Sequence, residues 1–134
     1  MIFSDTEKAS IGYDHKTDHT YLVFKRSIGE EDMVEAHKTL LDMITEHHVC
    51  SGKHMSDARA LNTLTAHSRQ WINKVVVPFI QERSAKQRAK IALVLSEPIM
   101  AELNLSNCEQ RYSHEADTMI FDNDELAREW LATQ

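Results

Sequence analysis

The chain has few places at which it can break. It carries three Gly and two Pro among 134 residues, which excludes collagen-like, Pro-rich and Gly/Ser-linker segments. No repeat or low-complexity tract divides it, so one domain over residues 1–134 is expected, with residues 1–8 loosely ordered. Long apolar runs are missing as well. The longest, residues 75–80 (VVVPFI), falls far short of the roughly 20 residues a membrane-spanning helix needs. Residues 1–10 (MIFSDTEKAS) lack a basic start followed by an apolar run, so no secretory signal is expected. Two cysteines, Cys50 and Cys108, make no disulfide framework, and a reducing cytoplasm is the expected location. Positive charge is not in excess either. Fifteen Lys and Arg against 21 Asp and Glu give a net charge of -6, which argues against a nucleic-acid partner, since phosphate affinity needs clustered cations. The densest basic stretch, residues 83–90 (RSAKQRAK), is short and reads as a solvated connection.

What the sequence does have is the balance of a folded chain, 42% hydrophobic and 27% charged. Ile11 and Tyr13 alternate, HKTD offers a turn, and residues 19–26 (HTYLVFKR) are β-branched and aromatic, which predicts a β-hairpin. The unbroken YLVF predicts a strand covered on both faces. Glu30, Glu31 and Asp32 suit the positive end of a helix. Met33, Val34, Ala36, Leu40, Leu41, Met43 and Ile44 then recur at helical spacing as far as His47 or His48. Residues 53–59 (KHMSDAR) form a strand by position more than by propensity. A second helix starts near Thr65, a capping residue, with Trp71, Ile72, Val75, Val76, Phe79 and Ile80 as its apolar stripe. Pro78 is expected to kink or break it. Residues 90–96 (KIALVLS) are the clearest buried strand, Pro98 opens a short helix through Asn104, and residues 118–121 (TMIF) are a last strand. Asp122 with Glu125 reads as a capping box for a final helix that buries Leu126, Ala127, Trp130 and Leu131. The order β-β-α-β-α-β-α-β-α implies an α/β fold whose sheet is mainly parallel, with an antiparallel hairpin at its start.

Three local phrases add to that order: residues 56–71 (SDARALNTLTAHSRQW), 89–104 (AKIALVLSEPIMAELN) and 119–131 (MIFDNDELAREWL). Together they resemble the SpoIIAA-like (STAS-like) superfamily, and within it the short stand-alone bacterial proteins of STAS/CRAL-TRIO type. The resemblance spans nearly the whole chain on loose motifs. It implies a mixed, mainly parallel sheet of four or five strands with about four helices packed mainly on one face. In that branch an aspartate and an arginine end the strand before the second helix, here Asp57 and Arg59. An Ala-x-x-Trp-Leu helix closes the chain, here residues 127–131. Anti-sigma-factor antagonists of the superfamily carry an Asp-Ser-Ser-Gly phosphorylation loop, and here the sequence departs from them. The matching region, NTLTAHSRQ, puts Ala66 at the phosphoacceptor, with Thr65 and Ser68 as nearby hydroxyls. A hydroxyl at a helix start is first of all a cap.

Few residues suggest chemistry. Residues 46–54 (EHHVCSGKH) hold three histidines and a cysteine. Adjacent helical residues point about 100° apart, so His47 and His48 do not share an ion. Only Cys50 and His54 are spaced to do so, and the doubled pairing of a zinc site is missing, so no metal and no cofactor are expected. The imidazoles instead suit the carbonyl end of a helix, Cys50 a small buried position, and Gly52 the turn into the next strand. Asp14, Asp18 and His19 surround the hairpin turn. Asp57 ends a strand, where α/β sheets place ligand sites, and His67 lies ten residues on, so an acid–base pair can be drawn. The alternative is that Asp57 and Arg59 form an ion pair fixing the strand-to-helix loop. Met33, Met43, Met55, Met100 and Met119 read as core fillers that can also line an apolar pocket, and Trp71 and Trp130 as core anchors.

Three function classes follow. The first is a non-catalytic regulatory or protein-interaction domain of STAS-like type, acting on an unknown protein partner or as a homodimer through its hairpin edge. The second is a module binding a small apolar molecule or lipid between helices and sheet. The last is an enzyme using Asp57 and His67. Asp57, Arg59, Thr65, His67 and Ser68 form the candidate interaction or ligand loop.

Overall fold

The computed structural model describes residues 1–49, 51–84, 87–112 and 116–134. Along the chain run β1 (Ile2–Asp5), β2 (Ala9–Asp14), β3 (His19–Phe24), α1 (Glu30–His47) and β4 (Lys53–Asp57). Then come α2 (Ala66–Trp71), a π-helical segment (Ile72–Val76), α3 (Val77–Glu82), β5 (Ala89–Val94) and α4 (Glu97–Glu102). The chain closes with β6 (Gln110–Tyr112), β7 (Ala116–Phe121) and α5 (Asp124–Ala132). The fold is α/β with one mixed sheet of seven strands, ordered β1-β2-β3-β4-β5-β7-β6. Strands β3, β4, β5 and β7 are parallel neighbours, while the pairings β1–β2 and β2–β3 at one side and β6–β7 at the other are antiparallel.

The sheet is thus larger than the four or five strands expected, and both additions lie at its edges. Residues 1–8 are not a loose tail, because Ile2–Asp5 pairs with β2. The Met1 amino group donates to the Tyr13 carbonyl at 2.7 Å, and the Tyr13 amide donates back to Met1 at 2.9 Å. Gly12 permits this approach, since a Cβ there would lie 2.3 Å from the Met1 carbonyl oxygen. The hairpin strand β2 is therefore not the sheet edge, which belongs to β1. At the other side β6 is exposed throughout, and β7 supplies its backbone partners. Neither strand announces itself by an apolar pattern.

The topology decides where the helices go. From β3 to β7 each parallel strand is added on the same side of the last. Right-handed crossovers that keep stepping one way put every connecting helix on one face. That face holds the larger core, where Leu22, Leu40, Met43, Ile80, Leu95 and Ile99 are at most 1% exposed. Helix α5 follows the last parallel strand and covers the other face. There Ala127 and Leu131 pack on Met55, Ala92, Val94 and Phe121, with Trp130 at the side. The expectation of helices mainly on one face holds for all but α5. Of the methionines, Met33, Met43, Met55 and Met100 are buried, and Met119 packs partly buried against the α5 core.

Pro78 neither breaks nor ends its helix. Segments α2, π and α3 follow one another without interruption, and the Val77 amide donates five residues back to Ile72 immediately before the proline. The widened π turn accommodates a residue that lacks an amide hydrogen. Thr65 caps α2 as expected, accepting from the Ser68 amide at 3.1 Å. The cap of α5 is Asn123 and not Asp122, its side chain accepting from the Leu126 amide at 2.9 Å. Gly52 adopts φ +90°, and a Cβ there would meet the Ser84 Cβ at 2.2 Å, so the turn into β4 needs glycine on both counts. No helix among the described residues is long and apolar enough to cross a membrane.

Candidate functional site

The structure does not gather the candidate loop residues into one site. Asp57 ends β4 on the α5 face, buried, and the Arg59 guanidinium reaches it through Nε at 3.0 Å and Nη2 at 2.7 Å. The Arg59 amide adds a bond to the same carboxylate at 3.2 Å, and Asp124 of α5 lies 3.3 Å from Nη2. Hydrogen bonding to Asp57 pushes the Arg59 pKa up. This is an ion pair that fixes the strand-to-helix loop. His67 sits elsewhere, exposed at the start of α2, with Nδ1 3.2 Å from Glu30 of α1. Asp57 and His67 thus form no acid–base pair, because each is held by a different partner. Thr65 donates to the other Glu30 oxygen at 2.6 Å, and these two contacts hold the Glu30 carboxyl below its usual range. Ser68 is 3% exposed, out of reach of a modifying enzyme. Thr65, His67 and Glu30 tie the starts of α1 and α2 together.

The histidine-rich stretch comes apart in the same way. His47 ends α1 edge-on to Phe3 at 5.4 Å between centroids, and His48 takes the left-handed cap position at φ 54°. Cys50 lies outside the described residues. His54 is wholly buried in β4, with Nδ1 2.8 Å from Thr20 Oγ1 and Nε2 2.8 Å from Ser56 Oγ, so both nitrogens are engaged. Among the described residues no three His, Cys, Asp or Glu side chains converge as a metal site. Around the hairpin turn, Asp14 accepts from the Lys16 amide at 2.9 Å, and His19 is buried beside Thr17.

One structural feature with room for chemistry lies between the larger helix layer and the sheet. A cavity of about 380 Å³ opens there. Its floor follows from strand register. His54, Ile91 and Thr118 form one row across β4, β5 and β7, and Ser56, Leu93 and Ile120 form the next. Alternate residues on a strand share a face, so all six point toward the same helices. Its roof is Ile72, Val76, Val77 and Ile80 of the π segment and α3, with Met33 and His37 of α1. Arg69, Asn73, Leu105, Arg111 and Tyr112, each exposed or half-exposed, lie at the mouth. A largely apolar hollow with a few placed polar groups is the usual form of a small-molecule site.

Two buried histidines face this hollow. The His37 Nδ1 lies 2.8 Å from the Met33 carbonyl, which fixes the proton on Nδ1. Burial lowers the His37 pKa, and it pushes that of His54 down to about 3, so both rings are neutral near pH 7. Sequence reasoning missed both as cavity residues. The available signal was His37 itself, a polar residue four after Met33 and three before Leu40 on the apolar stripe of α1.

No family model, curated protein or solved structure matches the chain. The functional reading therefore rests on the geometry of the cavity.

Proposed function

We propose that the protein is a non-catalytic module that binds a small, mainly apolar molecule in the cavity between α1, the π-containing helix and the sheet. The observation that carries this reading is the open volume of about 380 Å³ with apolar walls and a polar mouth. An apolar cavity of about 150 Å³ holds a benzene ring, so roughly two and a half times that volume suits a ring with a substituent or a short branched chain. A π turn in the wall supports the reading, since such turns concentrate at functional sites. Native mass spectrometry of freshly purified protein tests it by reporting any retained molecule. Titration with butylbenzene, followed by methyl NMR, is the second arm. Shifts confined to Ile72, Ile80, Ile91 and Ile120, lost in Ala58→Leu, are the expected result. Neither a retained molecule nor a saturable shift would sink the proposal.

A second reading keeps the regulatory, STAS-like role that the sequence resemblance implies. What favours it is the outer edge of the sheet, where β1 leaves one side of its backbone unpaired and Ile2 is 65% exposed. A second copy adding a strand there would make a homodimer. Sedimentation equilibrium of the intact chain and of Ile2→Lys tests this, and a monomer at all concentrations argues against it.

A further inference from the structure

The cavity carries a polar specification that its volume alone does not. His37 is 2% exposed, and its Nδ1–H is spent on the Met33 carbonyl. Its Nε2 has no partner among the described residues. Yet no buried side-chain nitrogen or oxygen among those residues is left without one. Nε2 must therefore meet open space, and the space that His37 borders is the cavity. A neutral imidazole protonated on Nδ1 presents a lone pair at Nε2, which is an acceptor only. At the mouth, Arg69 uses Nε to hold the Leu64 carbonyl at 3.3 Å. No carboxylate among the described residues pairs with it, so the terminal nitrogens of its guanidinium are free to take an anion. The other mouth cation, Arg111, is paired with Glu109 at 2.5 Å.

Resting on the cavity reading above, we infer that the ligand is a small hydroxylated acid whose hydroxyl donates to His37 Nε2 and whose carboxylate meets Arg69, with an apolar body between. A hydroxyl inside an apolar wall is favoured only where an acceptor waits for it, and His37 supplies that acceptor. A carboxylate at the rim keeps part of its hydration while gaining a planar, two-pronged partner.

The test uses para-hydroxyphenyl acetate, propanoate and butanoate as probes, each beside its dehydroxy analogue and its methyl ester, in calorimetric titrations of the intact chain. With the best-fitting chain length, the hydroxylated acid should bind about tenfold more tightly than its dehydroxy analogue, as expected for one buried hydrogen bond. His37→Phe should erase that ratio while leaving the dehydroxy acid bound. Arg69→Gln should erase the preference for acid over ester and spare the hydroxyl ratio. Should His37→Phe fold poorly, the ¹⁵N shift of His37 Nε2 in the unsubstituted chain gives the same answer, moving only with the hydroxylated probes. Equal binding of hydroxylated and dehydroxy acids, or an unmoved Nε2 shift, overturns the inference. Butylbenzene separates the two failures. If it still fills the cavity, the ligand assignment alone is wrong; if it does not, the cavity reading falls as well.

Discussion

The two faces of the sheet solve the same covering problem with opposite outcomes. On one, a nine-residue helix seals a small core: Ala92, Val94, Ala127 and Leu131 are wholly buried, Phe121 is 3% exposed, and ion pairs from Asp57 through Arg59 and Asp124 to Arg128 line the rim. On the other, α1, the α2–π–α3 helix and α4 bring far more apolar surface and still leave a hollow. More cover does not mean closer packing. The α2–π–α3 helix changes its turn in the middle, and the residues of that turn line the hollow.

If the comparison holds, the faces should respond differently to the same insult. The largest effect is expected from Leu131→Ala, which empties a site with no slack and should cost about 3 kcal/mol in urea denaturation. Acid should act next, and on the hollow face. The His54 pKa lies near 3 in the folded chain against about 6.5 unfolded, so the unfolded state takes up protons first as pH falls below about 6.5. Stability should be level above that pH and drop by about 2 kcal/mol by pH 5 from His54 alone, with His37 adding in the same direction. Urea midpoints at pH 7 and pH 5 measure this, and His54→Gln should flatten the slope.

A matched pair of substitutions sharpens the contrast. Ala127→Leu overpacks the sealed face and should cost about 2 kcal/mol, whereas Ala58→Leu grows into the hollow and should cost less than about 1 kcal/mol. Equal costs would show the hollow to be as tightly packed as the sealed core. Smallest of all, Asp124→Asn removes a solvent-screened partner of Arg59 and Arg128 and should shift stability by about half a kcal/mol.

Much of the fold was legible in the sequence because periodicity marks buried surface. The hairpin, α1, β5 and the α5 stripe all stand close to their expected bounds. Edge strands β1 and β6 left no such mark, since pairing along the backbone requires no apolar side chains. The site was hardly legible at all. Asp57 attracted attention because α/β ligand sites lie at the carboxyl ends of strands, but that rule applies where the strand order reverses. Here the parallel strands step in one direction throughout, and that end of β4 is closed by Arg59. The cavity depends on residues from seven or more elements meeting in space, and local spacing does not encode that. Besides His37, the sequence offered Pro78, expected to kink or break the helix, where the helix instead changes its turn.

That change of turn has a consequence for how such a protein evolves. A π turn holds one more residue than the α turn it replaces, so deleting one residue from Ile72–Val76 restores a regular helix. Arg69 would then swing by about 100° relative to Ile80, and the mouth would lose its carboxylate-free cation while every strand kept its register. The cation at the mouth is thus separable from the fold by a single codon, with the sheet and the α5 core left unchanged.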